Sequence, residues 1–219
     1  MSRRIAGILA LLIFAATLPL SVEATEKVKG SGKIAKDSRK LAPFHSVTLK
    51  VPAELTIVMG ADEPVVIETD DNVLPHIKTV VKDGQLSIDS GDKEIQTSSK
   101  ITIKFKTAKL DQLNLDGAST SMISGLNSGS LAITSKGASN LNLSGTVNKL
   151  SVDLKGAGQV QAGKLSTKET SIAIKGTGSA EFTVSDKLDA TINGTGSVRY
   201  HGNAKVTQKI LGIGSVTKI

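Results

Sequence analysis

Gly117, Gly137, Gly156, Gly176, Gly194 and Gly212 follow one another at steps of 20, 19, 20, 18 and 18 residues, and this recurrence limits the fold more than any other property of the chain. Near-regular spacing of this length is the mark of stacked structural repeats. Two positions beyond each glycine stands another very small residue: Ser119, Ser139, Gly158, Gly178, Gly196 and Gly214. On either side, every second position is mostly apolar. Leu113, Leu115, Ile133, Val152, Leu154, Ile172, Ile174 and Ile192 precede the corners, and Ile123, Leu141, Leu143, Val160, Phe182 and Val198 follow them. The positions between carry Lys, Asn, Asp, Thr, Ser and Gln. Alternation with a period of two means strands with one buried face.

Each repeat thus reads as strand, sharp glycine corner, strand and looser return. So short a repeat has no room for a helix, and consecutive repeats are expected to stack as parallel coils about 4.8 Å apart. The predicted fold is all-β, a parallel β-solenoid (β-helix) of 18–20 residues per coil over 111–219, with an irregular β-rich half over 25–110. A meander of hairpins is the competing architecture. Hairpins do not bring equivalent turns into vertical register, whereas a coil does, and stacked corners leave no space for bulk.

This resolves the apparent phosphate cradle at 175–182, KGTGSAEF, as one corner of the series. A dinucleotide fingerprint needs a third glycine and a following helix, and the chain offers neither there nor at 194–199. The stretch 158–165, GQVQAGKL, fails as a phosphate loop because Leu165 stands where a metal-binding hydroxyl is required and a strand pattern follows.

Residues 1–24 have the layout of a cleaved secretory signal peptide: a positive start at Arg3-Arg4, an apolar run from Ile5 to Leu20, and a small-x-small site at Val22-Glu23-Ala24. The apolar run is short for a bilayer span, and no second such stretch follows, so no transmembrane segment is expected in the mature chain. The chain has no cysteine, which excludes disulfides, thiol catalysis, thiolate metal sites and lipidation at cysteine. Cleavage removes Arg3, Arg4 and Glu23 and lowers the formal charge of +7 by one. What remains is an exported single domain, 25–219, destined for the periplasm or the cell surface.

Its positive charge is almost all lysine, with only Arg39 and Arg199 left as arginines, one tyrosine and no tryptophan. That composition argues against a nucleic-acid partner, because phosphate forks and base stacking favour Arg and aromatic side chains. Three consecutive coils place Lys136, Lys155 and Lys175 immediately before their corner glycines. The register would stack them as a positive ladder, a candidate rail for an anionic glycan or lipid headgroup, or a device of solubility alone.

The amino-terminal half alternates at Val47, Leu49 and Val51, at Leu55, Ile57 and Met59, at Val65 and Ile67, at Leu86 and Ile88, and at Ile101, Ile103 and Phe105. Asp83-Gly84, set between Val80-Val81 and Leu86, is a hairpin signal. Lys29-Gly30-Ser31-Gly32 repeats the corner signature, which suggests that this half shares the coil logic or caps it. Gly30-Ser31-Gly32-Lys33, the Arg39-Lys40-Leu41-Ala42-Pro43-Phe44 approach to Val47-Thr48-Leu49, the Ile67–Asn72 segment leading to Ile77, Gly84-Gln85-Leu86 and the glycine corners together resemble the auto-transporter adhesin head GIN domain family over nearly the whole mature chain. The resemblance implies an exported, right-handed, solenoid-like protein with no catalytic or ligand residues to carry over.

The residues themselves give a non-catalytic reading of the same kind, a structural or binding module of the cell envelope without a cofactor or metal. Its partner would be an envelope glycan, lipid or protein. The alternative is a carbohydrate-active enzyme or polysaccharide-binding protein acting on acidic glycans. An enzyme's site would gather carboxylates, a metal or a basic catalyst on one face, with aromatic rings to hold the sugars, whereas the acidic residues of the periodic half fall in different columns, and His45, His76 and His201 lie far apart and read as surface or turn residues. Glu68, Asp70 and Asp71 read as a solvated turn rather than a calcium site. A threonine face for ice binding is absent from the mixed column Thr120, Asn140, Gln159, Ser179, Ser197 and Ser215. At the carboxy-terminal edge, 212–219, the expectation is either a cap folded back from elsewhere or self-association into a homo-oligomer.

Overall fold

The structure, a computed structural model, describes residues 26–219; the expected leader at 1–24 lies outside the described residues. The chain is all-β. Its strands are β1 (Glu26–Lys29), β2 (Ile34–Arg39), β3 (Ser46–Leu49), β4 (Ala53–Met59), β5 (Val65–Asp70), β6 (Lys78–Lys82), β7 (Gln85–Asp89), β8 (Lys93–Gln96), β9 (Thr102–Thr107), β10 (Gln112–His201) and β11 (Lys205–Lys218). One 3-10 turn at Leu74–His76 is the only helical element among the described residues.

The length of β10 records the repeat, since strand pairing runs without a break through its corners. Its first rung lies parallel to the amino-terminal half: Gln112–Leu115 pairs with β3 and Ser119–Ser124 with β4. Beneath those, β7 pairs in parallel with β3 and β9 with β4. Layers therefore succeed one another in space as 85–107, 46–59 and 112–124, which is not their order in the chain.

The sheet is mixed, which corrects the expectation of a wholly parallel coil. β2 runs antiparallel to β5, β5 to β9 and β6 to β7. The cause is local. Asp83 (φ 50) and Gly84 (φ 73) make a two-residue turn between Lys82 and Gln85, and a turn so tight can only reverse the strand.

Within the carboxy-terminal half the corner glycines lie one over another. At Gly176 φ is +133, and a Cβ there would fall 2.3 Å from the carbonyl oxygen of Gly156. The same close approach sets Gly137 over Gly117, Gly156 over Gly137, Gly194 over Gly176 and Gly212 over Gly194. Both the backbone conformation and the neighbouring rung exclude a side chain. In the last step, β11 pairs with β10 in parallel from Lys187↔Lys205 to Tyr200↔Lys218, with Gly194↔Gly212 and Gly196↔Gly214 in register.

The apolar columns flanking these corners face one continuous core. Phe182, Leu113, Leu115, Ile174 and Ile192 are fully buried. Leu126, Val147, Leu150, Leu165, Val184 and Leu188, which the corner alignment did not place, are buried in the same core. Ser135 and Ser139 occupy inward positions and hydrogen-bond each other, which satisfies both hydroxyls in the core.

Two further expectations change. Lys29 to Gly32 is not a corner of the stack, because its glycines pack around Asp70: a Cβ on Gly30 would fall 2.1 Å from Asp70 Oδ2, and the Gly32 N–H donates to Oδ1 at 2.8 Å. At the other end, no strand among the described residues covers the free edge of β11, so the expected cap is not found there. Ile213 on that strand is 77% exposed.

Candidate functional site

The predicted lysine ladder is present as three exposed residues on successive rungs, yet its charge is not free. Asp153, two residues before Lys155 on the same strand face, lies 3.1 Å from Lys155 Nζ and 3.6 Å from Lys175 Nζ. One carboxylate thus stands between two of the three ammonium groups. Exposed pairs of this kind contribute little to stability, but the one carboxylate lowers the net charge of the three-lysine ladder.

A stronger candidate lies on the outer face of the strands that follow the corners. Here an open cavity of about 780 Å³ crosses five rungs, from Met122 and Ser124 through Asn142, Gln159 and Gln161 to Ser179, Glu181, Arg199 and His201. Outward positions three, five and seven residues beyond each corner glycine supply its lining, because alternate residues of a strand share a face. Register does the rest. Glu181 stands five residues after Gly176 and Arg199 five after Gly194, so stacking brings them together: Arg199 Nη2 donates to Glu181 Oε2 at 2.7 Å. His201 Nε2 lies 3.4 Å from the other oxygen, Oε1.

Gly163 completes the site. Its φ lies outside the left-handed region, so its backbone does not require glycine, but a Cβ would stand 2.8 Å from Glu181 Oε1. The Thr183 hydroxyl donates to the Gly163 carbonyl at 2.8 Å and ties the two rungs together. Glycine at 163 thereby opens the floor on which the Glu181 carboxylate sits. Lys164 adds a second cation to the lining, and Glu181 is its only carboxylate.

In the sequence the acids fall in different columns and His201 stands far from the other histidines; the structure joins Glu181 and His201 with Arg199. The signal was available in the offset from the corner glycines. The other two histidines stay apart from this face. His45 Nδ1 lies 3.3 Å from Asp111, and His76 sits in the 3-10 turn.

Asp70 is a buried carboxylate rather than part of a solvated turn. The Thr97 hydroxyl donates to its Oδ2, and the Ser99 hydroxyl at 2.9 Å and the Gly32 N–H at 2.8 Å donate to Oδ1. These donors, Thr97 foremost, hold its carboxyl below the usual value of 3.8 against the opposing effect of burial. Asp71 and Asn72 extend the clamp: Ser31 donates its hydroxyl to Asp71 and its N–H to Asn72, and Asn72 Nδ2 donates to the Lys29 carbonyl. The cluster fastens the segment before β2 to the end of β5. Its oxygens are engaged by protein donors, so it offers no cradle for a cation.

Residues 43–204 match the family described as "Putative auto-transporter adhesin, head GIN domain". Among solved structures, the chain is similar to a "putative adhesin" from Bacteroides fragilis NCTC 9343, with a TM-score of 0.72 and 20% identity over 88% of this chain and 100% of that one. A "putative adhesin" from Parabacteroides distasonis ATCC 8503 superimposes with a TM-score of 0.56 and 20% identity, covering 89% of this chain and 100% of that one. Likeness at this identity speaks to the fold. No curated protein matches the chain.

Proposed function

The chain belongs to the auto-transporter adhesin head GIN domain family, and on that premise we propose that it is an exported, non-catalytic binding module of the cell envelope. Its carboxy-terminal half is built as a right-handed parallel β-solenoid of 18–20-residue coils on a mixed amino-terminal half, behind a leader cleaved near Ala24, and it works in the periplasm or at the cell surface. Among the described residues no helix is long and apolar enough to cross a membrane.

One observation carries this reading: five stacked rungs present hydrogen-bonding side chains to a single open face whose lining includes one carboxylate. An elongated polar face fits the capture of a chain-like partner. A glycosidase needs a second carboxylate across the scissile bond, and Glu181 has none beside it in the cavity. The experiment is an array of envelope polymers, glycans and lipids probed with purified 25–219. The expected result is retention of a polymer that stays intact. Release of shortened fragments would overturn the reading in favour of a carbohydrate-active enzyme.

Two subsidiary proposals follow from the surface. The ladder of Lys136, Lys155 and Lys175 is a secondary anionic contact weakened by Asp153. The free edge of β11, with Leu211 52% and Ile213 77% exposed, is a surface for self-association.

A further inference from the structure

Resting on the reading of the open face as a binding surface, we infer that Arg199 and His201, which contact Glu181, form with Lys164 of the same lining a subsite for a carboxylate carried on an extended polysaccharide. Three observations support the anionic group. Lys164 and Arg199 oppose a single carboxylate in the cavity, so the face is net positive even with His201 neutral. Arg199 gives only Nη2 to Glu181, and its Nε and Nη1 have no protein acceptor among the described residues. The Arg199 side chain is 57% exposed, so a second carboxylate can take the remaining Nη2–H together with the N–H beside it on Nε or Nη1, the two-point contact that the planar fork offers.

The position of the fork is set rather than incidental. Glu181 anchors one nitrogen, and Gly163 leaves the space in which Glu181 lies. Since the backbone at 163 adopts a conformation open to other residues, the missing side chain serves the cavity and not the turn. Asn142, Gln159 and Gln161 continue the lining, and amides both donate to and accept from hydroxyl groups. Five rungs span four intervals of about 4.8 Å, room for several sugar rings end to end. A nucleic acid fits less well. It carries a phosphate at about every 3.4 Å of each strand and binds through several cations and stacking rings, whereas this face has two fixed cations and no Phe, Tyr or Trp in its lining.

The test uses purified 25–219 with polygalacturonate, the same polymer fully methyl-esterified, and single-stranded DNA, by calorimetry at low and moderate salt. Polygalacturonate binds, its ester binds at least ten-fold more weakly, and added salt weakens the acid form. Arg199→Gln and Lys164→Gln each weaken polygalacturonate binding about ten-fold, as expected for a charge-assisted contact, while Lys209→Gln, outside the cavity, does not. Glu181→Gln keeps a partner for Arg199 but removes the opposing charge, and so tightens binding, a gain that misfolding cannot mimic. Equal binding of acid and ester, wild-type affinity in the Arg199 and Lys164 variants, or equal binding of DNA would each overturn the subsite while leaving a binding module intact. Failure of both polymers to bind would overturn the polysaccharide assignment, and only failure across all envelope polymers would remove the proposed function.

Discussion

At the corners, backbone and neighbour act together, and the glycine column separates the two effects. Gly176 has φ +133 and a preceding carbonyl oxygen 2.3 Å from its would-be Cβ; Gly117 has φ +108 but open space around that position. Gly129 has neither constraint. Urea unfolding should therefore rank the alanine variants. Gly129→Ala is close to neutral, Gly117→Ala costs about 1 kcal/mol from conformation alone, and Gly176→Ala costs about 2–4 kcal/mol because the rung must also shift. Equal losses at 117 and 176 would mean that the rungs do not touch there. Gly163→Ala tests a different role: stability is nearly unchanged, and the displaced Glu181 alters polymer affinity.

Elements in this protein are held by two kinds of contact, an aliphatic interior and a few polar clamps. Phe182 is fully buried in the core between rungs, and Phe182→Ala should cost about 3–5 kcal/mol by loss of transfer energy and creation of a cavity. The Asp70 clamp joining the 29–33 segment to β5 predicts a pH effect of defined sign. Its carboxyl titrates below 3.8 in the folded chain, so its stabilisation is complete above that value and disappears as pH falls through the folded value. Thermal unfolding should show this acid loss in the wild type and a smaller one in Asp70→Asn, which is also less stable at neutral pH. Alternation made the inward residues of β3, β4, β7, β9 and the corner strands legible in the sequence, and Asp83-Gly84 marked its hairpin. The pairing of β9 under β4, the antiparallel placing of β5 and the core residues away from the corners were not legible. Nothing in a single strand's pattern says which partner lies beside it, and Leu126, Val147 and Val184 sit in returns too irregular to align. The clamp was missed for a related reason, since Asp70-Asp71-Asn72 reads as a polar turn until Thr97 and Ser99 cover it.

For the whole molecule, stacking converts a one-dimensional repeat into surfaces: a core within, a cavity on one face, and a free edge at β11. The cavity was legible only in hindsight of register, through the shared offset of Glu181 and Arg199 from their corners. Exposed Leu211 and Ile213 beside unpaired backbone predict that 25–219 self-associates with rising concentration and that Ile213→Lys shifts it toward monomer, as light scattering would report. A wild type that stays monomeric across that range contradicts an edge contact.

The register of the rungs underlies the corners, the core and the cavity alike, and cysteine pairing measures it directly in a chain that has no cysteine of its own. Ser197 pairs with Ser215 across the last two rungs, at a Cα separation within disulfide reach for neighbouring strands. Oxidised Ser197→Cys/Ser215→Cys should form an intramolecular disulfide in high yield, and the offset pair Ser197→Cys/Ile219→Cys should not. The opposite outcome, with the offset pair closing and the in-register pair remaining open, would contradict the stacking from which the binding face is built.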